Sequence, residues 1–262
     1  MDKARTIKKK KSKFRWIRYV FLFLLGCVIA GGITRSFQGP VLRQPTNTSD
    51  REWAERSYGY APHPSESDEA IIQVYAARTR GPKKAVAVHT WIATKEKGAD
   101  EYIRSEIFGW RLSSRGTALN QRPGIPDRSW ARNAPTLLLD IRGEEAEALM
   151  DKVHGAIEQY PWKNEYTAWP GPNSNTFLAW IGLQVPELKL DLPSTAIGKD
   201  WRPISDTFGM SASGTGVQAS LYGLLGVTVG REEGLEVNIL GLSTELDVMD
   251  LGVELPGMGR VW

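Results

Sequence analysis

The first apolar block in the chain is Tyr19 to Thr34, YVFLFLLGCVIAGGIT, 16 residues without a charge. With Trp16 and Ile17 it approaches the roughly 17–25 residues that a membrane helix needs. From residue 35 to about 66 Pro, Ser, Thr, Asn and charged residues dominate and no apolar period is sustained. This stretch reads as a linker, with Trp53, Tyr58 and Tyr60 available to dock on the folded domain. Order resumes near Ala70. Ile71 to Tyr75 is a β-branched and aromatic run, hence a strand. Ala85 to Ala93 predicts a second strand, apolar on both faces and therefore central. Tyr102 to Trp110 predicts a third and Leu137 to Ile141 a fourth. Between these two, residues 111–135 carry Gly, Pro, Ser and Asn and predict a long loop, a place where function often sits.

The period then changes to that of a helix. Ala146, Leu149, Met150, Val153 and Ile157 share one face, Glu144 and Glu145 suit the positive end of the dipole, and Pro161 stops the run. A second helix starts near Asn173 and Ser174, with Phe177, Leu178 and Ile181 as its apolar stripe, and ends before Pro186. Beyond a Gly/Ser/Thr-rich stretch at 209–216, the segments 221–229 and 235–240 predict a hairpin, and 246–248 a further short strand. The pattern predicts an α+β protein: a single N-terminal transmembrane helix followed by one domain with a mixed or antiparallel sheet. Its parts are a tail at 1–18, a membrane segment at 19–34, a linker at 35–66 and the domain at 67–262.

Charge gives the membrane segment a direction. The whole chain carries +3, but residues 1–18 hold nine Lys and Arg and one Asp, leaving 24 basic and 29 acidic residues in the rest. A +8 tail before the apolar run predicts a cytoplasmic N-terminus and an exported domain. The domain itself is −5, which argues against nucleic acid as a partner because no basic surplus remains on it. A composition of 41% hydrophobic and 24% charged residues argues against a wholly disordered chain. The segment fits an uncleaved signal anchor. Two alternatives stay open: Ala30-Gly31-Gly32 fits a cleavage site, and Leu24-Leu25-Gly26-Cys27 fits a lipobox with Cys27 as the acylated residue. Cys27 is the only cysteine, so the domain contains neither a disulfide nor a thiol nucleophile.

Few residues offer chemistry. The three histidines, His63, His89 and His154, have no short ligand spacing, so no metal is implied. Gly214-Thr215-Gly216-Val217-Gln218-Ala219 matches a dinucleotide fingerprint in letters but no strand precedes it. No cofactor is implied either. What remains is His89 on a central strand and Ser174 at the first turn of a helix. There a nucleophile would feel the helix dipole and nearby amides, with His89 as its base. Glu101, Glu106 and Asp140 are candidates to orient the histidine, and Glu101 is taken first. Asn173, Asn175, Thr176 and Trp91 are candidate ligand-binding residues. The plainer reading stays open: Asn173 and Ser174 are good helix N-caps, and His89 suits a hydrogen-bonded core position.

The order His89-Thr90, then Asn173-Ser174-Asn175-Thr176-Phe177 opening a helix, resembles the circularly permuted papain-like folds: the PPPDE peptidases, the lecithin:retinol acyltransferase group and relatives of the NlpC/P60 hydrolases. Those families have Cys where this chain has Ser174. Val88 to Ala93, Gly171 to Phe177, Asp200-Trp201-Arg202-Pro203 and the ending Pro256 to Trp262 resemble an uncharacterised bacterial family, domain of unknown function 3750, over about 70–262. The resemblance implies a papain-like-derived domain in the bacterial cell envelope, on the periplasmic side of the inner membrane. Its expected role is non-catalytic binding of a ligand or partner, a peptidoglycan or lipid constituent being one. The alternative is an envelope amide or ester hydrolase or acyltransferase with Ser174 as nucleophile and His89 as base. Catalysis would require the His89 ring within about 4 Å of the Ser174 hydroxyl.

Overall fold

The computed structural model describes residues 2–37, 50–247, 249 and 251–262. Part of the expected linker, 38–49, lies outside the described residues. The N-terminal helix α1, Asp2–Phe37, contains one stretch long and apolar enough to cross a membrane, Arg15–Ile33, with a mean hydropathy of 2.0. Phe21, Phe23, Ile29 and Ile33 on it are exposed, whereas Cys27 is buried. Gly31 packs against the backbone of Gly257, where a β-carbon would lie 2.8 Å from the Gly257 carbonyl carbon. Only glycine permits that approach.

Residues 50–66, expected as the end of the linker, are folded onto the domain. Asp50 caps the short helix α2, Arg51–Arg56, by accepting from the Trp53 amide at 2.9 Å. Trp53 is buried with Ile71, Tyr102 and Ile125. One oxygen of the buried Asp127 accepts from the Ser57 hydroxyl at 3.0 Å and from the Tyr58 and Tyr60 amides at 3.1 and 2.8 Å.

The first sheet comprises β1 (Ile71–Arg78), β2 (Val88–Lys95), β3 (Ile103–Ile107), β4 (Leu119–Pro123) and β5 (Thr136–Arg142), in the order β4-β3-β2-β1-β5 with every pair antiparallel. β1 and β2 are central and buried on both faces. Alternation splits them between two layers. Ile72, Val74, Ala76, Val88 and Ile92 pack under the helices α4 (Glu144–Glu158) and α5 (Ser174–Gln184), together with Leu149, Val153, Phe177 and Ile181. Tyr75, Ala77, Trp91 and Ala93 face the opposite layer, with Tyr60 and Trp130.

Three elements differ from the sequence reading. β2 starts at Val88, because Gly81-Pro82 opens a 3-10 turn over Gly81–Ala85. The expected loop at 111–135 contains a helix, α3 (Arg111–Arg115), and strand β4, which adds to the exposed edge of β3. The expected C-terminal hairpin is part of a second antiparallel sheet of seven strands, with order β12-β11-β10-β9-β8-β7-β6. These are β6 (Phe208–Met210), β7 (Gly216–Leu221), β8 (Leu225–Gly230), β9 (Gly234–Ile239), β10 (Leu242–Asp247), β11 (Gly252–Leu255) and β12 (Gly259–Arg260). The fold is α+β with two antiparallel sheets and an N-terminal apolar helix.

Candidate functional site

β2 and β3 pair only from Ile92↔Ser105 to Thr94↔Ile103. Towards the start of β2 the two strands part. The gap becomes a cavity of about 790 Å³ bordered by His89, Phe108, Trp110, Trp130, Trp169 and Ser174. That volume falls in the range of small-molecule sites, as does the largely aromatic wall.

His89 stands on β2 with its ring 4.1 Å from that of Trp130 and 5.5 Å from that of Phe108, both nearly parallel to it. Trp110 stacks on Phe108 at 4.2 Å. The imidazole is therefore an inner member of an aromatic stack that forms one wall. Its Nε2 lies 3.1 Å from Glu106 Oε2. The same carboxylate oxygen accepts from Arg104 Nη2 at 3.3 Å, and the Arg104 guanidinium lies over the Trp91 ring at 4.7 Å. Alternation along β3 puts Arg104 and Glu106 on one face, opposite the splayed half of β2.

This pairing determines the protonation of both partners. Burial pushes the His89 imidazole below its ordinary range, and the Glu106 hydrogen bond and charge reverse only part of that effect. Burial pushes Glu106 the other way, but the hydrogen bond with His89 and the charge of Arg104 outweigh it and hold the carboxyl below its usual range. Glu106 is thus an ionised acceptor and His89 a neutral ring. A carboxylate only accepts, so the ring proton is assigned to Nε2 and Nδ1 carries the lone pair. Among the described residues, Nδ1 makes no hydrogen bond.

Ser174 is the first residue of α5. Asn173 is the N-cap: its Oδ1 accepts from the Asn175 amide at 2.9 Å and the Thr176 amide at 3.3 Å, and Thr176 Oγ1 accepts from the Asn173 amide at 3.1 Å. This reciprocal box fixes the first turn. The approach to it runs through Gly171 at φ 144°, where a β-carbon would lie 2.8 Å from the Trp201 ring. The turn is then pinned to β2: Thr90 Oγ1 donates to the Ser174 carbonyl at 3.1 Å or to Asn175 Oδ1 at 3.0 Å, and Asn175 Nδ2 donates to Val88 O at 3.2 Å and Ile197 O at 2.8 Å. Among the described residues the Ser174 hydroxyl makes no hydrogen bond.

The structure brings His89, Ser174, Asn173 and Asn175 to one cavity. No hydrogen bond joins His89 to Ser174 among the described residues; His89 projects from the opposite face of β2 to Thr90, which carries the contact with α5. The side-chain polar groups of Asn173, Asn175 and Thr176 are engaged in seating the helix, Thr176 Oγ1 also donating to Gly198 O at 2.7 Å. Trp91 and Glu101, two of the expected residues, do not border this cavity. Trp91, expected at a ligand, has no exposed surface and donates through Nε1 to Pro126 O at 2.8 Å; it shares the face of β2 that carries His89 but sits two residues further from the open end of the strand, beneath the Arg104 guanidinium. Glu101, expected to orient His89, is exposed and borders a separate depression with Trp53 and Arg128, because it precedes β3. Asp140 bonds Gln73 and Arg142 on the far side of β1. Glu106 is the carboxylate that faces the histidine.

The wall of Phe108, Trp110 and Trp130 escaped the sequence reading; the only signal for it was the length of the 111–135 segment. Among the described residues no three His, Cys, Asp or Glu are arranged to hold a metal ion. No curated protein matches the chain, and no solved structure does. Residues 69–201, which span the first sheet, both packed helices and every residue of the cavity wall named above, match a family described as a protein of unknown function, and the chain belongs to that family, DUF3750.

Proposed function

We propose that this protein is a membrane-anchored enzyme of the bacterial envelope that hydrolyses, or transfers the acyl group of, an amide or ester. Ser174 is the nucleophile, His89 the general base and Glu106 the residue that positions His89. The observation that carries this reading is the state of His89: neutral, bonded through Nε2 to a buried carboxylate, with Nδ1 bare beside a cavity that Ser174 also borders.

A serine hydroxyl keeps its proton until attack, so its base must be a neutral imidazole. A thiolate–imidazolium pair would need the charged ring that burial here disfavours. The departure from Cys at position 174 and the environment of His89 are therefore consistent with each other. In the reaction the Ser174 oxygen attacks the carbonyl carbon, its proton passes to His89 Nδ1, and the ring returns that proton to the departing amine or alcohol. Water or a second acceptor then releases the acyl group. Catalytic hydrogen bonds are often long in empty sites and close with substrate. The buried Arg104–Glu106–His89 arrangement supports the reading too, since such groups cost desolvation that apolar packing would avoid.

In the same reading the domain is a permuted papain-like derivative held at the inner membrane by α1, with the basic tail in the cytoplasm and the domain in the periplasm. A second reading is that of a binding module for a peptidoglycan or lipid constituent. It is favoured by one observation, the missing hydrogen bond between His89 and Ser174.

A fluorophosphonate probe on the full chain in detergent separates the two. Labelling that disappears in Ser174→Ala supports the enzyme. An unlabelled wild type at pH 8 selects the binding module.

A further inference from the structure

The seven-stranded sheet is built inside out. The register sets Val217, Val229, Leu235, Leu246 and Val253 opposite one another in a line across five strands. A parallel line runs from Phe208 through Ala219 and Val227 to Val237. These side chains point to solvent: Phe208, Val229 and Leu246 are 66%, 52% and 47% exposed. The alternate positions Gln218, Thr228, Glu236 and Glu245 are polar and buried. An antiparallel sheet with one wet face ordinarily has the reverse alternation. A continuous apolar surface of this extent marks an interaction site.

We propose that this face rests in the lipid leaflet next to the C-terminal end of α1, with acyl chains as its partner. On α1, Gly31 touches the Gly257 backbone in the turn between β11 and β12, at the edge of this sheet. Gly31 lies two residues from the end of the apolar span Arg15–Ile33, and Cys27, within the span, is buried against the folded chain. At about 1.5 Å per helical residue, this contact falls within the outermost few ångströms of the hydrocarbon layer. The edge of the sheet is thus held at leaflet depth, and its apolar face continues from that edge. Strands of six residues (β7 to β10) fall short of the roughly 9–11 needed to span a bilayer. The face therefore lies in the interface and does not cross it. The two lines described above carry no charged side chain.

The proposal rests on the reading of α1 as a membrane helix, and the experiment keeps the two apart. The full chain, with Cys27→Ser, is reconstituted in phosphatidylethanolamine/phosphatidylglycerol vesicles. It carries a single environment-sensitive fluorophore at Val227→Cys, at Leu246→Cys or, as a control, at Glu144→Cys. The expected result is that lipids with a nitroxide on the acyl chain quench the probes at 227 and 246, while aqueous iodide quenches only the probe at 144. Iodide quenching at 227 and 246 overturns the proposal. So does protection from iodide without lipid quenching that is lost when the protein is diluted in lipid, since a second copy would then be the cover. Alkaline carbonate distinguishes the failures: a chain that resists extraction with its probes in water loses the docking alone, whereas a chain that is released loses the anchor and the docking with it.

Discussion

At residue scale the site is a histidine whose two nitrogens do different work. Nε2 is committed to Glu106 and Nδ1 is left bare. Because burial lowers the His89 pKa, the basic form persists to lower pH than in free imidazole. Serine labelling should therefore rise with pH through a midpoint below about 6.5 and stay flat above it; a midpoint above 7 in a rate-against-pH titration would contradict this. His89→Ala should slow labelling by about 10²–10⁴-fold. Glu106→Gln should slow it as well, by about tenfold or more, since an amide that donates to Nε2 forces the proton onto Nδ1. Its labelling kinetics should be compared at equal folded fraction, checked by near-ultraviolet circular dichroism.

At the scale of elements, two local choices create the cavity. β2 and β3 stop pairing after three residue pairs, and α5 is pinned through Thr90 and Asn175 to the start of β2. Asn173 holds the turn that makes this contact, because its side chain caps two amides and donates to Ala168 O and Ile197 O at 3.3 and 3.0 Å. Asn173→Ala should destabilise by about 1–2 kcal/mol for the cap, with a further loss for the two carbonyls. A thermal melt of the full chain measures this. The strands at 71–78 and 136–142 and the helix at 144–158 were legible, because alternation and the 3.6 period are local and their packing follows them. The pairing of β3 with β4 was not, since Leu119–Pro123 reads as loop until an edge strand is there to receive it.

At the scale of the whole molecule, the inverted second sheet makes the interior acidic. Its buried face supplies Glu236 and Glu245, and the segment beneath supplies Asp191, Lys199 and Asp200. Lys199 pairs with Glu236, and Asn238 donates to Asp200. Burial, reinforced by neighbouring carboxylates, pushes Asp191 and Asp200 up to about 7 and Glu245 up to about 9, with Lys199 offsetting part of each shift. A carboxyl whose folded pKa is raised binds its proton more tightly when folded, so its contribution is full below the unfolded value near 4 and is lost as pH rises through the folded one. The full chain should lose several degrees of Tm between pH 6 and pH 9.5, and Asp191→Asn together with Glu245→Gln should flatten that decline. A Tm that rises across this interval would refute the assignment.

Some of this protein was determined by its sequence alone. The apolar length of α1, the basic run that precedes its apolar span, the α+β pattern of residues 70–185 and the cap at Asn173 can all be read from neighbours within one or two turns, where propensity and periodicity act. His89 and Ser174 could be singled out because so few other groups offer chemistry. Which carboxylate meets His89 could not, because where β3 begins and how it pairs decide that Glu106 lies inside the strand and Glu101 before it, and both are settled by long-range pairing. The aromatic wall needed residues 89, 108 and 130 brought together by two antiparallel connections. The outward apolar face was hidden for the same reason. Alternation shows that a strand has an apolar side, but only packing against the Lys199 segment decides that the polar side is the one buried.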